Sequence, residues 1–242
     1  MPVMQTETYL YSDGEQRCEG FVAREAALAL PAPVVVVCHH WWGRDTLMDS
    51  HAQRMARLGY IGFAADIYGG HAVAKTPDEA SALMSGFAND RAKLRQRLRA
   101  IVAAARRIPG ADGQKVVVIG FCFGGLCAFD VARDGCEGVV GVAGFHALFA
   151  PPQLGEQKRI SARVLALHGY ADPMATPDAM VAFAKEMTDA GAHWEIDAYG
   201  NTVHAFTNPD ANDRAQGMGY DERIANRAFN RLESFLRECF GR

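Results

Sequence analysis

The sequence is short of almost every feature that would assign it to a membrane, to nucleic acid or to an oxidising compartment. Its 25 Lys and Arg are outnumbered by 28 Asp and Glu, leaving a net charge of -3. No basic stripe for a nucleic acid and no like-charge block for a lipid surface can be drawn from that balance. No stretch approaches the ~18 uninterrupted apolar residues of a membrane helix. The opening run Met1-Pro2-Val3-Met4-Gln5-Thr6-Glu7 has no basic region followed by an apolar one, so no secretory signal is expected. The six cysteines are scattered, with no Cys-x-x-Cys pair and no framework spacing. There are no repeats, no low-complexity tract and no linker rich in Pro, Gly and Ser. The expectation is a cytoplasmic chain forming one domain over 1–242, with no nucleic acid, no membrane, and a monomeric or small homo-oligomeric state.

What the chain does contain is an alternation of apolar runs with helical patterns. That alternation argues for an α/β fold with a mostly parallel sheet, helices on both faces and an N-terminal hairpin. Thr6–Tyr11 and Arg17–Arg24, on either side of Ser12-Asp13-Gly14, read as the hairpin. Core strands are predicted at Val34–Cys38, Ile61–Ala65, Val116–Ile119, Val139–Ala143, Val164–Leu167 and Trp194–Tyr199. Helices are predicted at Leu47–Leu58, Leu126–Arg133, Thr176–Ala190 and Arg223–Phe240, with a long one from about Pro77 to Arg107 broken near Gly86. The basic residues in the second half of that long helix read as a solvated face.

The most informative segment is Gly120-Phe121-Cys122-Phe123-Gly124-Gly125, directly after Lys115-Val116-Val117-Val118-Ile119. A β-branched run that meets Gly-x-Cys-x-Gly-Gly describes a strand turning sharply into a helix, with a strained residue at the tip and small residues giving it room. In hydrolases with this turn the tip is a nucleophile. A cysteine there has the positive end of the following helix aimed at its sulfur. It needs a base, and the base needs an orienting acid. Asp172 in His168-Gly169-Tyr170-Ala171-Asp172-Pro173 follows one predicted strand, and His204 follows the next. Nucleophile, acid and histidine in that order are the arrangement this architecture requires. The candidate triad is Cys122, Asp172 and His204, with backbone N–H groups of Trp41 and Phe123 as oxyanion donors.

Other residues at the carboxyl ends of strands are candidates to line the substrate pocket: His40, Trp42, Tyr68, Phe145, His146 and Phe206. Trp41 and Trp42 fit core packing as well as a pocket wall. His39-His40 lacks a third metal ligand at a usable spacing, His51 being set within a helix, so no metal and no other cofactor are expected. The remaining cysteines read as small apolar residues.

These motifs resemble the dienelactone hydrolase family of α/β-hydrolases. The likeness runs from about Arg17 to Phe240 and is carried by residues 38–43 (Cys-His-His-Trp-Trp-Gly), Ala65–Gly69, Gly120–Gly125, His168–Pro173 and His204-Ala205-Phe206. It implies the α/β-hydrolase fold, Cys122 as nucleophile, His204 as base, Asp172 as orienting acid, and a thioester formed from a small activated ester or lactone. Two departures are visible. His40 stands where well-known members carry a glutamate that influences the resting cysteine, and is expected to help hold the thiolate instead. The arginines with which dienelactone-specific members grip a substrate carboxylate are missing: Asn208 stands where one is expected, the Asp78–Gly86 segment holds none, and Arg44 and Arg91 are candidate substitutes by reach. The expected substrate is therefore small and uncharged or weakly polar. The alternative is a low-turnover ligand-binding or sensing protein that retains the fold. A thiol redox role lacks an obvious resolving cysteine, since Cys127 lies five residues on.

Overall fold

A computed structural model describes residues 3–242. Eight strands form one sheet: β1 (Met4–Asp13), β2 (Gln16–Glu25), β3 (Ala32–Cys38), β4 (Ile61–Ala65), β5 (Ala111–Phe121), β6 (Val139–Phe145), β7 (Arg163–Gly169) and β8 (His193–Tyr199). Their spatial order is β1-β2-β4-β3-β5-β6-β7-β8. The β1–β2 hairpin and the β2–β4 pair are antiparallel, and every pairing from β4 onward is parallel. Six helices complete the fold: α1 (Thr46–Arg57), α2 (Pro77–Ala88), α3 (Arg91–Ala105), α4 (Phe123–Asp134), α5 (Pro177–Asp189) and α6 (Glu222–Phe240). This is the expected α/β-hydrolase architecture. No helix among the described residues is long and apolar enough to cross a membrane.

The inner parallel strands β3, β4 and β6 carry no polar side chain because both faces are covered. Along β3 the alternation is visible: Val34, Val36 and Cys38 join the core under α3, α4 and α5, while Val35 and Val37 join the one under α1 and α6. Helix starts follow local chemistry. The side chains of Asp45, Thr76, Asp90 and Asp221 each accept from an N–H of the first turn of α1, α2, α3 and α6.

Two expectations for the 77–107 region are corrected. The break falls at Asn89 and Asp90, because Asp90 caps α3 by accepting from the Lys93 N–H at 2.9 Å; Gly86 stays helical within α2. Nor is the basic face simply solvated. Arg97 is buried and pairs with Asp13 at 3.0 Å, and Arg91 and Arg99 pair with Asp130 and Asp134, each at 2.6 Å. These arginines tie α3 to the hairpin and to α4.

Candidate active site

The turn from β5 into α4 is built as its glycines dictate. Cys122 caps α4 with φ 55° and ψ -116°, a conformation that costs a non-glycine residue about 1–3 kcal/mol. A Cβ on Gly120 would lie 1.9 Å from the Gly124 carbonyl oxygen, and one on Gly124 would lie 2.1 Å from that of Cys38. Only glycine lets the strand, the tip and β3 approach so closely. The tip is anchored across the sheet by the Cys122 N–H, which donates to the Phe145 carbonyl at 3.0 Å. The sulfur-bearing side chain is half-buried, and the N–H of Phe123 beside it has no acceptor within its own helix.

Asp172 and His204 come from the loops after β7 and β8, and both are buried. His204 Nδ1 lies 2.7 Å from Asp172 Oδ2, and the other carboxylate oxygen accepts from the Met174 N–H at 2.8 Å. The carboxylate can only accept, so Nδ1 carries a proton and Nε2 points away from the pair. Backbone bonds hold the histidine on both sides: its N–H donates to the Gly217 carbonyl at 2.9 Å and its carbonyl accepts from Gly219 at 3.0 Å.

His204 Nε2 is buried and bonded to no protein acceptor. Burial alone lowers the pKa of this imidazole. The neighbouring Cys122 sulfur, followed by the Asp172 carboxylate, outweighs burial and raises it to about 10. The sulfur thus sits beside the free nitrogen without closing a hydrogen bond of ordinary geometry. A protonated His204 stabilises the fold fully below its ordinary value of 6.5, and that contribution is lost as pH rises through about 10. Removing the sulfur in Cys122→Ala takes away the largest raising influence. The His204 pKa, followed by ring ¹⁵N shifts across pH, is expected to fall from about 10 toward 6.5; an unchanged titration would contradict the coupling.

The loop after β3 presents its N–H groups selectively. Trp42 donates to His40 Nδ1 and Gly43 donates to the His40 carbonyl, both at 3.3 Å, while the Trp41 N–H takes part in neither bond. The Tyr68 hydroxyl fixes this loop by donating to the Trp41 carbonyl at 2.8 Å. His39 braces it from below: its Nδ1 meets the His40 carbonyl at 2.6 Å and its Nε2 accepts from the Ile67 N–H at 3.1 Å. Burial pulls the His39 pKa down to about 4, which keeps it neutral in this bracket.

The other candidate residues divide. His40 is engaged at both nitrogens, since Nδ1 accepts from Trp42 and Nε2 faces Asp45 Oδ2 at 3.3 Å. It shapes the loop, and neither nitrogen is free to hold the thiolate. Phe145 and Phe206 have no exposed surface. Phe145 stacks on Phe121 and leans on Phe229 under α6, and Phe206 packs on Tyr199, so both are core residues and not pocket walls. Strand alternation turns Phe145 away from the site. His146 is buried with its ring edge-on to His204 at 5.0 Å, and its Nε2 bonds to Thr207 Oγ1 at 2.8 Å. Trp42 and Trp41 are half-buried and pack edge to face. His51 stacks on Phe121 at 4.3 Å, and burial takes its pKa to about 3.

Neither arginine offered as a carboxylate grip is free. Arg44 is buried against Asp49 at 2.8 Å, and Arg91 forks onto Asp130. Sequence reasoning missed the supporting roles of Tyr68 and Thr207. It also missed His168, whose Nε2 meets the Ala175 carbonyl at 2.8 Å and so ties down the loop that carries Asp172. A histidine at the end of a buried strand was the available signal.

Comparison with known proteins gives the chain its family. The family model of the dienelactone hydrolase family matches residues 18–240. The chain belongs to the dienelactone hydrolase family. It is an ester or lactone hydrolase on that basis. A dienelactone hydrolase-like promiscuous phosphotriesterase from metagenomic libraries is similar over 98% of each chain, with TM-score 0.93 and 32% identity. A carboxymethylenebutenolidase of Pseudomonas sp. is 36% identical over 132 residues, 48% of this chain and 55% of that one. An uncharacterized protein of Caenorhabditis elegans is 32% identical over 150 residues, covering 61% of this chain and 95% of that one.

Proposed function

We propose that the protein hydrolyses small, uncharged activated esters or lactones through Cys122, with Asp172 and His204 completing a triad and a thioester as the intermediate. The observation that carries this reading is the buried Asp172–His204 pair at 2.7 Å, with the free Nε2 beside the sulfur of the strained tip residue.

The thiolate of Cys122 attacks the carbonyl carbon, forming a C–S bond and moving the carbonyl electrons onto oxygen. The Trp41 and Phe123 N–H groups receive that oxyanion. Protonated His204 gives its Nε2 proton to the departing alkoxide as the C–O bond breaks, leaving a thioester and a neutral imidazole. Water then attacks the thioester and yields a proton to Nε2. Collapse breaks the C–S bond, returns the electron pair to sulfur and releases the acid. Because thiolate leaves more readily than an amine, a tetrahedral adduct of an amide collapses backward, which favours esters, lactones and thioesters over peptides.

Neutral substrates are favoured because Arg44 and Arg91 are already paired with Asp49 and Asp130. The six free cysteines fit action in a reducing, cytoplasmic setting. The test is a panel of neutral aryl esters and lactones set against anionic lactones of matched size. Neutral compounds are expected to give at least about tenfold higher kcat/KM, as loss of one charge-pairing partner implies. A preference for the anionic lactones would overturn the assignment of substrate class.

A further inference from the structure

A cavity of about 940 Å³ is lined by none of Cys122, Asp172 and His204. It is a groove between α3, α4 and α5, roofed by the segment 148–158 after β6. Its inner end adjoins the catalytic elements. Leu126 lies one helical turn past Cys122, and its N–H bonds to the Cys122 carbonyl at 3.3 Å. Met174 donates its N–H to Asp172, and Phe149 packs on His168 with ring centroids 4.7 Å apart. From Leu126 the groove follows one face of α4 through Asp130 to Asp134, a length of about 12 Å at the helical rise.

The lining is suited to hydrocarbon. Leu126, Leu148, Phe149, Met174, Ala179 and Phe183 form apolar walls, and Met174 keeps 48% of its surface exposed. Most charges along the groove wall are paired. Asp130 is held by Arg91 and by Arg133 at 3.1 Å, Glu186 is held by Arg133 at 2.8 Å, and Asp134 is held by Arg99. The same guanidinium groups donate to the roof, Arg133 to the Phe149 carbonyl at 2.8 Å and Arg91 to that of Ala150 at 3.2 Å. Glu156 and Lys158 are exposed, and Arg95 is the one half-buried cation without a carboxylate partner.

We propose that this groove is the subsite for a neutral hydrocarbon chain of the ester substrate, so that the enzyme takes esters extended well beyond a small acyl centre. The proposal rests on the hydrolytic reading above, keeps its uncharged substrate class and extends it from small esters to chain-bearing ones. Either the acyl or the alcohol half of an ester can carry such a chain, and two series separate them: p-nitrophenyl esters from acetate to octanoate, and alkyl acetates from methyl to octyl. In one series kcat/KM is expected to climb with length, by up to about fourfold per added methylene, and then level off. Ala179→Trp and Ala182→Trp each project an indole into the groove from α5. Each is expected to lower the long-chain to short-chain ratio by about tenfold.

A flat response in both series would overturn the proposal. So would a length preference that survives both tryptophan variants, or a stronger response to an ω-carboxylated chain than to a neutral one of equal length. Cys122→Ala keeps the two levels apart. If it abolishes acetate turnover while chain length has no effect, the groove assignment fails and the triad stands; if length matters but Cys122→Ala is fully active, the triad fails.

Discussion

Replacement of Cys122 by alanine is expected to lower kcat/KM for an activated ester by about ten-thousand-fold or more, with the fold intact. The size of the loss follows from the division of labour in the site. In the proposed mechanism the oxyanion N–H groups of Trp41 and Phe123 are backbone and survive the substitution. The attacking atom, the covalent intermediate and the partner of His204 Nε2 do not. The fold should persist, because alanine at this position keeps the anchoring bond from residue 122 to the Phe145 carbonyl, while the stability supplied by the Cys122–His204 coupling is lost. Steady-state kinetics on an aryl ester, paired with thermal unfolding, reads both. Retained turnover would place the chemistry elsewhere.

The second large effect is expected at Asp172→Asn, again about ten-thousand-fold in kcat. The side chain is buried and nearly isosteric, so the change is chemical. An aspartate can only accept, and it fixes the proton of His204 on Nδ1 at 2.7 Å. An asparagine can turn its NH₂ toward Nδ1, which moves the proton to Nε2 and removes the base from the sulfur. The imidazolium also loses a carboxylate that helps raise its pKa to about 10. The variant's pH–rate profile is therefore expected to lose its dependence on a high-pKa histidine, and Asp172→Glu is expected to restore part of the rate. A merely structural role would lower activity without moving the profile.

Much of this site was legible in the sequence because its chemistry depends on local rules. Gly120, Gly124 and Gly125 announce the turn, since any side chain on Gly120 or Gly124 would enter a backbone carbonyl. Asp172 and His204 follow strands whose parallel order brings distant loops to one edge. The helix break at Asp90 was missed in favour of Gly86 because a glycine is tolerated inside a helix packed on the protein, whereas an N-cap side chain ends the previous one outright. Pocket residues were the least legible. The sequence marks Phe145 and Phe206 as aromatic and near the site, but the face of Phe145 depends on strand register and the packing of Phe206 on the loop after β8, and both turn to the α6 side. Arg44 and Arg91 looked available because their partners, Asp49 and Asp130, are fixed by helix packing and not by any motif. The groove along α4 likewise exists only once α3 and α5 flank that helix.

The most direct measurement is mass analysis of the protein after rapid acid quench during turnover of a slowly hydrolysed ester. The account predicts one acyl group per chain, mapped to the peptide holding Cys122, released by neutral hydroxylamine as a thioester should be, and absent from Cys122→Ala. An acyl group found on another residue would contradict it, as would turnover in Cys122→Ala equal to that of the parent.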